Sequence, residues 1–284
     1  MSYEQVDVFV TGVIYLAAVF VLFLIGKFVY DRLHPSFDLK SELFERDNFA
    51  LSLAVVGYYL GLVLALGGVL AGEGVDLAND LFDIFFFGLA AIVLINLSGW
   101  INDKVILSKF DNRKEIIGDR NAGTGAIEGG NHVANGLIVA GALDGDNVDL
   151  VIVVAFWAVG QLALILAGLL YDRLTSFDLH DEIERDNVAV GVAFAGLLIA
   201  LGNLVGLSVS GDFISWTTDL TDVAVFLGMA LILLPLVRIV TDKLLAPGVR
   251  LSAELIQEHP NVGAGVLEAF SYVAASMLIG WAIA

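Results

Sequence analysis

Long apolar stretches recur along the whole chain, and short polar segments separate them. A helix that crosses the hydrocarbon core of a bilayer needs about 20 predominantly apolar residues. Windows of that kind predict eight transmembrane helices, over residues 8–30, 48–71, 81–102, 121–143, 149–171, 187–210, 217–241 and 261–283. The fourth and eighth windows are the least apolar. The pattern therefore predicts an all-α, polytopic membrane protein.

The basic residues predict the side of the membrane on which each connection lies. All 14 lysines and arginines fall around the first, third, fifth and seventh connections, whereas the others carry acids such as Glu73, Asp144 and Asp146. Because Lys and Arg are retained on the cytoplasmic side, we expect a multi-pass protein of the cell membrane with both termini outside. No basic residue precedes the first apolar stretch, so a cleaved signal peptide is not expected.

The sequence repeats a four-helix unit. Tyr30-Asp31-Arg32-Leu33 recurs as Tyr171-Asp172-Arg173-Leu174, and further pairs of motifs follow at offsets of 139 to 141 residues. The predicted repeats are residues 1–146 and 147–284. Each holds four spans, an even number, so the second copy enters the membrane from the same side as the first. We expect parallel repeats related by a pseudo-twofold axis along the membrane normal.

Two motifs mark the helix starts of each unit. Arg-Asp-Asn opens the second helix, and Asn-x-Gly-x-Gly opens the fourth, as Asn121 to Gly125 and again as Asn261 to Gly265. A four-span unit with these motifs resembles the YjfL-like family of inner-membrane proteins, which carry domain of unknown function 350. The resemblance covers the whole chain as two tandem copies. It implies a small multi-span membrane domain and no particular activity, substrate or catalytic residue.

Composition narrows the functional classes. Hydrophobic residues make up 58% of the chain and charged residues 16%, an apolar excess beyond that of soluble domains. The absence of cysteine excludes disulfides, thiolate metal sites and cysteine nucleophiles. A net charge of -18 disfavours nucleic acids and anionic lipids as partners. Such an acidic chain resembles proteins of salt-adapted prokaryotes.

The fourth predicted helix carries a polar stripe. Its members follow at i, i+3, i+4 and i+7, which places them on one helical face: Glu128, Asn131, His132 and Asn135. An ionisable side chain in hydrocarbon costs about 2.5 to 3.5 kcal/mol on insertion scales, so each is a candidate functional group. The eighth helix keeps only the glutamate, as Glu268.

Two interpretations of this stripe stay open. In the first, the stripe and Glu268 line a path or pocket in which a carboxylate exchanges a proton or binds a cation and His132 relays the proton. In the second, Glu128 and Glu268 pair with Arg46 and Arg185 and only hold the helices together.

Two further sets of repeated polar residues invite a similar choice. The first is either an inter-helix network or a set of helix caps and topology anchors: Arg46, Asp47, Asn48, Arg185, Asp186 and Asn187. The second is either an outer acidic ring that concentrates cations or a set of helix-dipole caps: Asp80, Asp83, Asp219 and Asp222.

The sequence favours transport over catalysis. It contains no serine, histidine and acid constellation, no histidine pair at metal-ligand spacing and no sizeable soluble domain, so no enzyme activity, cofactor or metal is expected. The leading hypothesis is a channel or carrier for protons, a small cation or a small solute. The alternative is a membrane scaffold or accessory subunit. The predicted partners are the lipid bilayer, a transported ion, and a second copy of the chain or another membrane protein.

Overall fold

The computed structural model describes residues 3–71, 76–109, 111–145, 149–175 and 177–283. Within these ranges the chain is helical and contains no strand. The long helices are α1 (Tyr3–Leu33), α2 (Phe49–Ala71), α3 (Leu77–Ile101), α4 (Ala122–Ala142), α5 (Leu150–Leu174), α6 (Val188–Ser208), α7 (Trp216–Leu244) and α8 (Val262–Ile283). The predicted boundary between the repeats, at residues 146 and 147, lies outside the described residues, as do Glu73 and Asp146.

Short helices occupy the connections that carry the basic residues. They comprise Ser41–Glu45, Asn102–Ile106, Lys114–Asp119, Leu179–Glu184 and Leu251–Ile256, the first three of which are π-helical. The apolar windows gave no signal for these elements, because none exceeds about two turns.

Seven of the long helices are long and apolar enough to cross a membrane. The exception in the described part of the chain is α4, whose sequence contains the predicted polar stripe and several glycines. The structure therefore confirms the all-helical, multi-pass class. The number of helices apolar enough to span a membrane is seven, one fewer than the eight predicted. The difference is α4, whose hydropathy is lowered by Glu128, His132 and the neighbouring amides.

The even-numbered helices form a row in the order α2, α4, α6 and α8, and the odd-numbered helices pack along its flanks. Glycines bring neighbouring backbones of the row into direct contact. A Cβ atom added at Gly57 of α2 would overlap the backbone of Gly129 in α4, and one added at Gly141 would overlap the carbonyl of Gly206 in α6. Close backbone approach through small residues is the usual way in which helices associate in lipid.

Each helix of the row begins with the same asparagine cap. The side-chain oxygens of Asn48, Asn121, Asn187 and Asn261 accept a hydrogen bond from the amide three residues later. Their Nδ2 atoms donate to a glutamate of the preceding short helix, which is respectively Glu42, Glu115, Glu182 and Glu254. Capping of this kind fixes where a helix starts.

Three of these asparagines also reach forward to the next short helix. Their Nδ2 atoms donate to the backbone oxygens of Ile116, Ile183 and Leu255, respectively. The chain is thus built from a flanking helix, a short helix, an asparagine and a core helix, and this two-helix unit occurs four times. It is a smaller period than the four-helix repeat that the sequence predicted. The pseudo-twofold axis stays a prediction.

A polar contact also joins the two halves outside the long helices. Lys109 Nζ donates to Asp178 Oδ2 at 2.9 Å. This hydrogen bond lowers the pKa of Asp178 and raises the pKa of Lys109. Both side chains are substantially exposed, so the pair contributes little stability.

The caps lead to a stability prediction. Asn121→Ala removes a cap and leaves Glu115 and the Ile183 oxygen without their donor in a buried site, so we expect a loss of about 3 kcal/mol in the free energy of unfolding. Asn261 occupies the same position but is exposed, and we expect Asn261→Ala to lose about 1 kcal/mol. Unfolding in mixed micelles measures both, and equal losses would contradict the role of the forward hydrogen bond.

Candidate functional site

The first half holds an ionisable pair inside the bundle. Glu128 and His132 lie one turn apart on α4, with Glu128 Oε1 at 4.0 Å from His132 Nε2. The imidazole stands edge-on to the ring of Tyr58 in α2, with ring centroids 5.3 Å apart. Its Nδ1 atom is buried and has no hydrogen-bond partner among the described residues. The structure therefore places a carboxylate beside an imidazole in a largely apolar setting.

The equivalent carboxylate of the second half has a permanent counter-ion. Arg238 of α7 places its Nη2 atom 3.4 Å from Glu268 Oε2 on α8. The hydroxyl of Tyr272 donates to Glu268 Oε1 at 2.9 Å. Glu268 thus has an ionic contact with an arginine and a hydrogen bond from a tyrosine inside the bundle.

The two halves differ at two matched positions. At the offset that aligns Asp103-Lys104 with Asp242-Lys243, Arg238 corresponds to Gly99. Gly99 lies against the imidazole, because a Cβ atom added there would be 3.0 Å from His132 Cε1. The first half therefore has glycine and histidine where the second half has arginine and tyrosine.

Accessibility separates the carboxylates further. The Glu128 side chain is 12% exposed, whereas that of Glu268 is 1% exposed. No lysine or arginine in the described ranges forms an ion pair with Glu128. The first half thus has a slightly exposed carboxylate beside an imidazole, and the second half has a buried carboxylate beside an arginine.

The predicted polar stripe divides into two groups. Among the described residues, Asn131 and Asn135 form no hydrogen bond with the Glu128–His132 pair and instead join α4 to α3 and α5. Asn131 Nδ2 donates to the backbone oxygen of Ser98 at 3.3 Å, and Asn135 accepts a hydrogen bond from Gln161. Trp157 completes this buried network by donating to Ser98 Oγ at 2.9 Å. Because the amides are already hydrogen-bonded, they are suited to holding helices together.

The predicted pairing of the buried glutamates with Arg46 and Arg185 does not occur among the described contacts. Arg46 Nη1 lies 2.7 Å from Glu42 Oε1, four residues earlier, and Arg185 Nη1 lies 3.7 Å from Glu182 Oε1. Both arginines are mostly exposed, because they lie in the connections just before the starts of α2 and α6.

The remaining members of the predicted inter-helix network have separate roles. Asn48 and Asn187 are the buried caps described above, and they do link neighbouring units. Asp47 and Asp186 are exposed and have left-handed backbone conformations, with φ of 51° and 60°. They form the turn that leads into each cap.

The predicted acidic ring stays untested. Asp80 accepts a hydrogen bond from Tyr15 of α1, and Asp219 accepts one from the Ser215 amide at the start of its own helix. Asp83 and Asp222 are exposed. The cap of α3 is Asp76, which precedes all four predicted residues in the chain.

Arg238 is the main site residue that the sequence reasoning missed. It was grouped with the basic residues of the seventh connection, but α7 continues to Leu244 and places Arg238 inside the helix. Its position within the predicted transmembrane window 217–241 was the signal that could have identified it as a buried residue. Three further residues contact these polar groups, and only the packing of the helices reveals them: Tyr58, Gly99 and Trp157.

Apolar helices packed around buried polar groups define this chain as a polytopic α-helical membrane protein. It belongs to the family described as domain of unknown function (DUF350), whose model matches it twice in tandem, over residues 4–143 and 147–283. This confirms the resemblance expected from the repeated motifs. A similar relative is the "UPF0719 transmembrane protein" of Aquifex aeolicus (strain VF5), 23% identical over 258 residues, which span 89% of this chain and 93% of the relative. No solved structure matches the chain.

Proposed function

We propose that the first half of the chain carries protons or a small cation across the membrane, with Glu128 as the binding carboxylate and His132 as its titratable partner. One observation carries this proposal. Within the described ranges Glu128 pairs with no lysine or arginine and lies beside the imidazole of His132, whereas its counterpart Glu268 pairs with Arg238. Ionisable groups inside transmembrane bundles mark ion pathways and proton relays by default.

The geometry suits proton exchange better than a fixed ion pair. The distance of 4.0 Å between Glu128 and His132 exceeds that of a hydrogen bond, so a bridging water or cation can connect the two groups. An imidazole exists in neutral and protonated forms and can carry a proton between them, whereas a guanidinium stays charged. In this proposal Glu268 is a structural partner and does not line the path.

The proposal includes the membrane topology. α4 is flanked by α2, α3, α5 and α6, so its polar residues are shielded by protein and it can cross the bilayer as the eighth span. The distribution of basic residues supports an orientation with both termini outside and Glu128 in the cytoplasmic half of the membrane.

Flux through reconstituted vesicles tests this function. Vesicles that contain the purified chain and an internal pH-sensitive dye receive an external acid step, with the membrane potential held at zero by potassium and valinomycin. Sodium and potassium gradients are applied in separate runs. We expect a flux with at least one of these ions, its loss in Glu128→Gln, and a reduced rate in His132→Tyr. Rates equal to those of empty vesicles under every gradient would overturn the proposal.

A second candidate function is a non-transporting scaffold or accessory subunit of a membrane complex. It is favoured by the backbone contacts along the row and by the hydrogen-bonded network of Asn131, Asn135 and Gln161, which join neighbouring helices. In that case Glu128→Gln would change stability only, and the protein would show no flux.

A further inference from the structure

The contacts between neighbouring helices of the row, which we call joints, occur at the same positions relative to the asparagine caps. Counted from each asparagine cap, the residue nine positions on packs against the residue eight positions beyond the next cap. Three successive joints show this pairing: Gly57 with Gly129, Gly130 with Ala195, and Gly196 with Ala269. The residue twenty positions on packs against the residue nineteen beyond the next cap, and the pairs are Gly68 with Ala140, Gly141 with Gly206, and Leu207 with Gly280.

At both ends of the row, the helix positions that form these joints have no neighbouring helix. At the α8 end, the forward positions are Phe270 and Trp281, which are 60% and 72% exposed. At the α2 end, the matching positions are Val56, which is 54% exposed, and Gly67. A Cβ atom added at Gly67 would have nothing within 4 Å. The two outer faces therefore carry the register positions that meet each other at every internal joint.

We propose that a second copy of this chain docks its α2 onto α8, so that the row continues from one molecule into the next. Phe270 then packs against the second copy at Val56, and Trp281 packs over Gly67. The latter contact has a precedent within the chain, because Leu207 occupies the same position and packs over Gly280. The cap of the last unit completes the joint, because Asn261 then faces the short helix Ser41–Glu45 of the second copy.

A second copy of the chain is favoured over lipid because it would repeat the contacts of the internal joints. The forward hydrogen bond of the first three caps reaches the residue that follows the unit's glutamate, as in Asn187 to Leu255. Asn261 keeps the same side chain, and the corresponding residue after Glu42 is Leu43. Phe270 replaces a glycine, so side chains and not backbones meet, and the contact is weaker than the internal joints.

The docking is head-to-tail, because the two faces differ. A heterologous contact produces a ring where the rotation closes and an open chain of molecules where it does not. Both helices run in the same direction, since each two-helix unit returns the chain to the side from which it started. No inversion in the membrane is required.

Site-directed cross-linking tests this proposal. Because the chain contains no cysteine, every disulfide must involve an introduced residue. Val56→Cys and Phe270→Cys are introduced into separately tagged full-length chains, which are co-expressed and oxidised in native membranes. We expect a mixed cross-linked dimer, and no dimer when either variant is expressed alone. As a matched control, Val56→Cys is paired with Ile232→Cys, since Ile232 is an exposed residue of α7 outside the register.

Each other outcome overturns the proposal. Self-cross-linking of Phe270→Cys alone would indicate a symmetric α8 contact. A yield no greater than that of the Ile232 control would show that lipid covers these faces. Where the mixed dimer forms, Asn261→Ala and Trp281→Ala in the Phe270→Cys chain should each lower its yield about threefold, as expected for interhelical contacts in membranes. Ile232→Ala should leave it unchanged, and equal yields for all three variants would also contradict the docking.

Discussion

Gly57→Ala is expected to destabilise the protein by about 3 kcal/mol. The added methyl group would overlap the backbone of Gly129, which cannot rotate away as a side chain can. Relief requires α2 and α4 to move apart, and that movement also disrupts the contacts of Gly61 and Gly68 along the same face. The free energy of unfolding in mixed micelles measures the effect.

Gly228→Ala is the matched control for this substitution. Gly228 lies in α7, and a Cβ atom added there would have nothing within 4 Å. We expect no loss of stability, because alanine also favours the helical conformation more than glycine does. Similar losses in both variants would show that backbone contact within the row does not set stability.

Arg238→Leu is expected to have the largest effect, a loss of about 4 kcal/mol in the free energy of unfolding. The substitution leaves Glu268 without its counter-ion in a site where its side chain is 1% exposed. Only the hydroxyl of Tyr272 then remains as a polar partner.

The double variant Arg238→Leu/Glu268→Gln separates charge from packing. It removes the uncompensated charge and keeps an acceptor for Tyr272, so more than half of the loss should return. A double variant as unstable as Arg238→Leu would show that Arg238 acts through packing and not through its charge. Glu128→Gln should have a much smaller effect on stability, because Glu128 has no arginine partner in the described ranges.

The hydrophobic pattern predicted the long helices to within a few residues. The starts of α2 and α6 agree closely, because Asn48 and Asn187 mark them as caps. The start of α3 was predicted at residue 81, whereas the helix begins at Leu77 because Asp76 caps it. A helix cap depends on residues that are close together in the chain, so a single sequence can reveal where a helix starts.

The four-unit organisation could not be predicted from spacing alone. Glu42 and Asn48 are six positions apart, Glu182 and Asn187 five, and Glu254 and Asn261 seven. This variation hides the repeated cap in a fixed-offset comparison, whereas the structure shows the same hydrogen bond each time.

The candidate site was predicted in part. Glu128, His132 and Glu268 were identified because charged groups are rare at that depth. Their partners were not, because a helical face specifies direction and not the neighbour that occupies it. Arg238 resembled a topology anchor near a helix end, and only the packing of α7 against α8 shows its pairing with Glu268.

The most direct test of the central claim compares Glu128→Gln with Glu268→Gln in the vesicle flux assay, with rates normalised to folded protein. The two substitutions make the same chemical change at equivalent positions of the two halves. The account predicts that Glu128→Gln abolishes the flux, while Glu268→Gln retains it despite reduced stability. Loss of flux in both variants, or in Glu268→Gln alone, would contradict the assignment of the path to the first half.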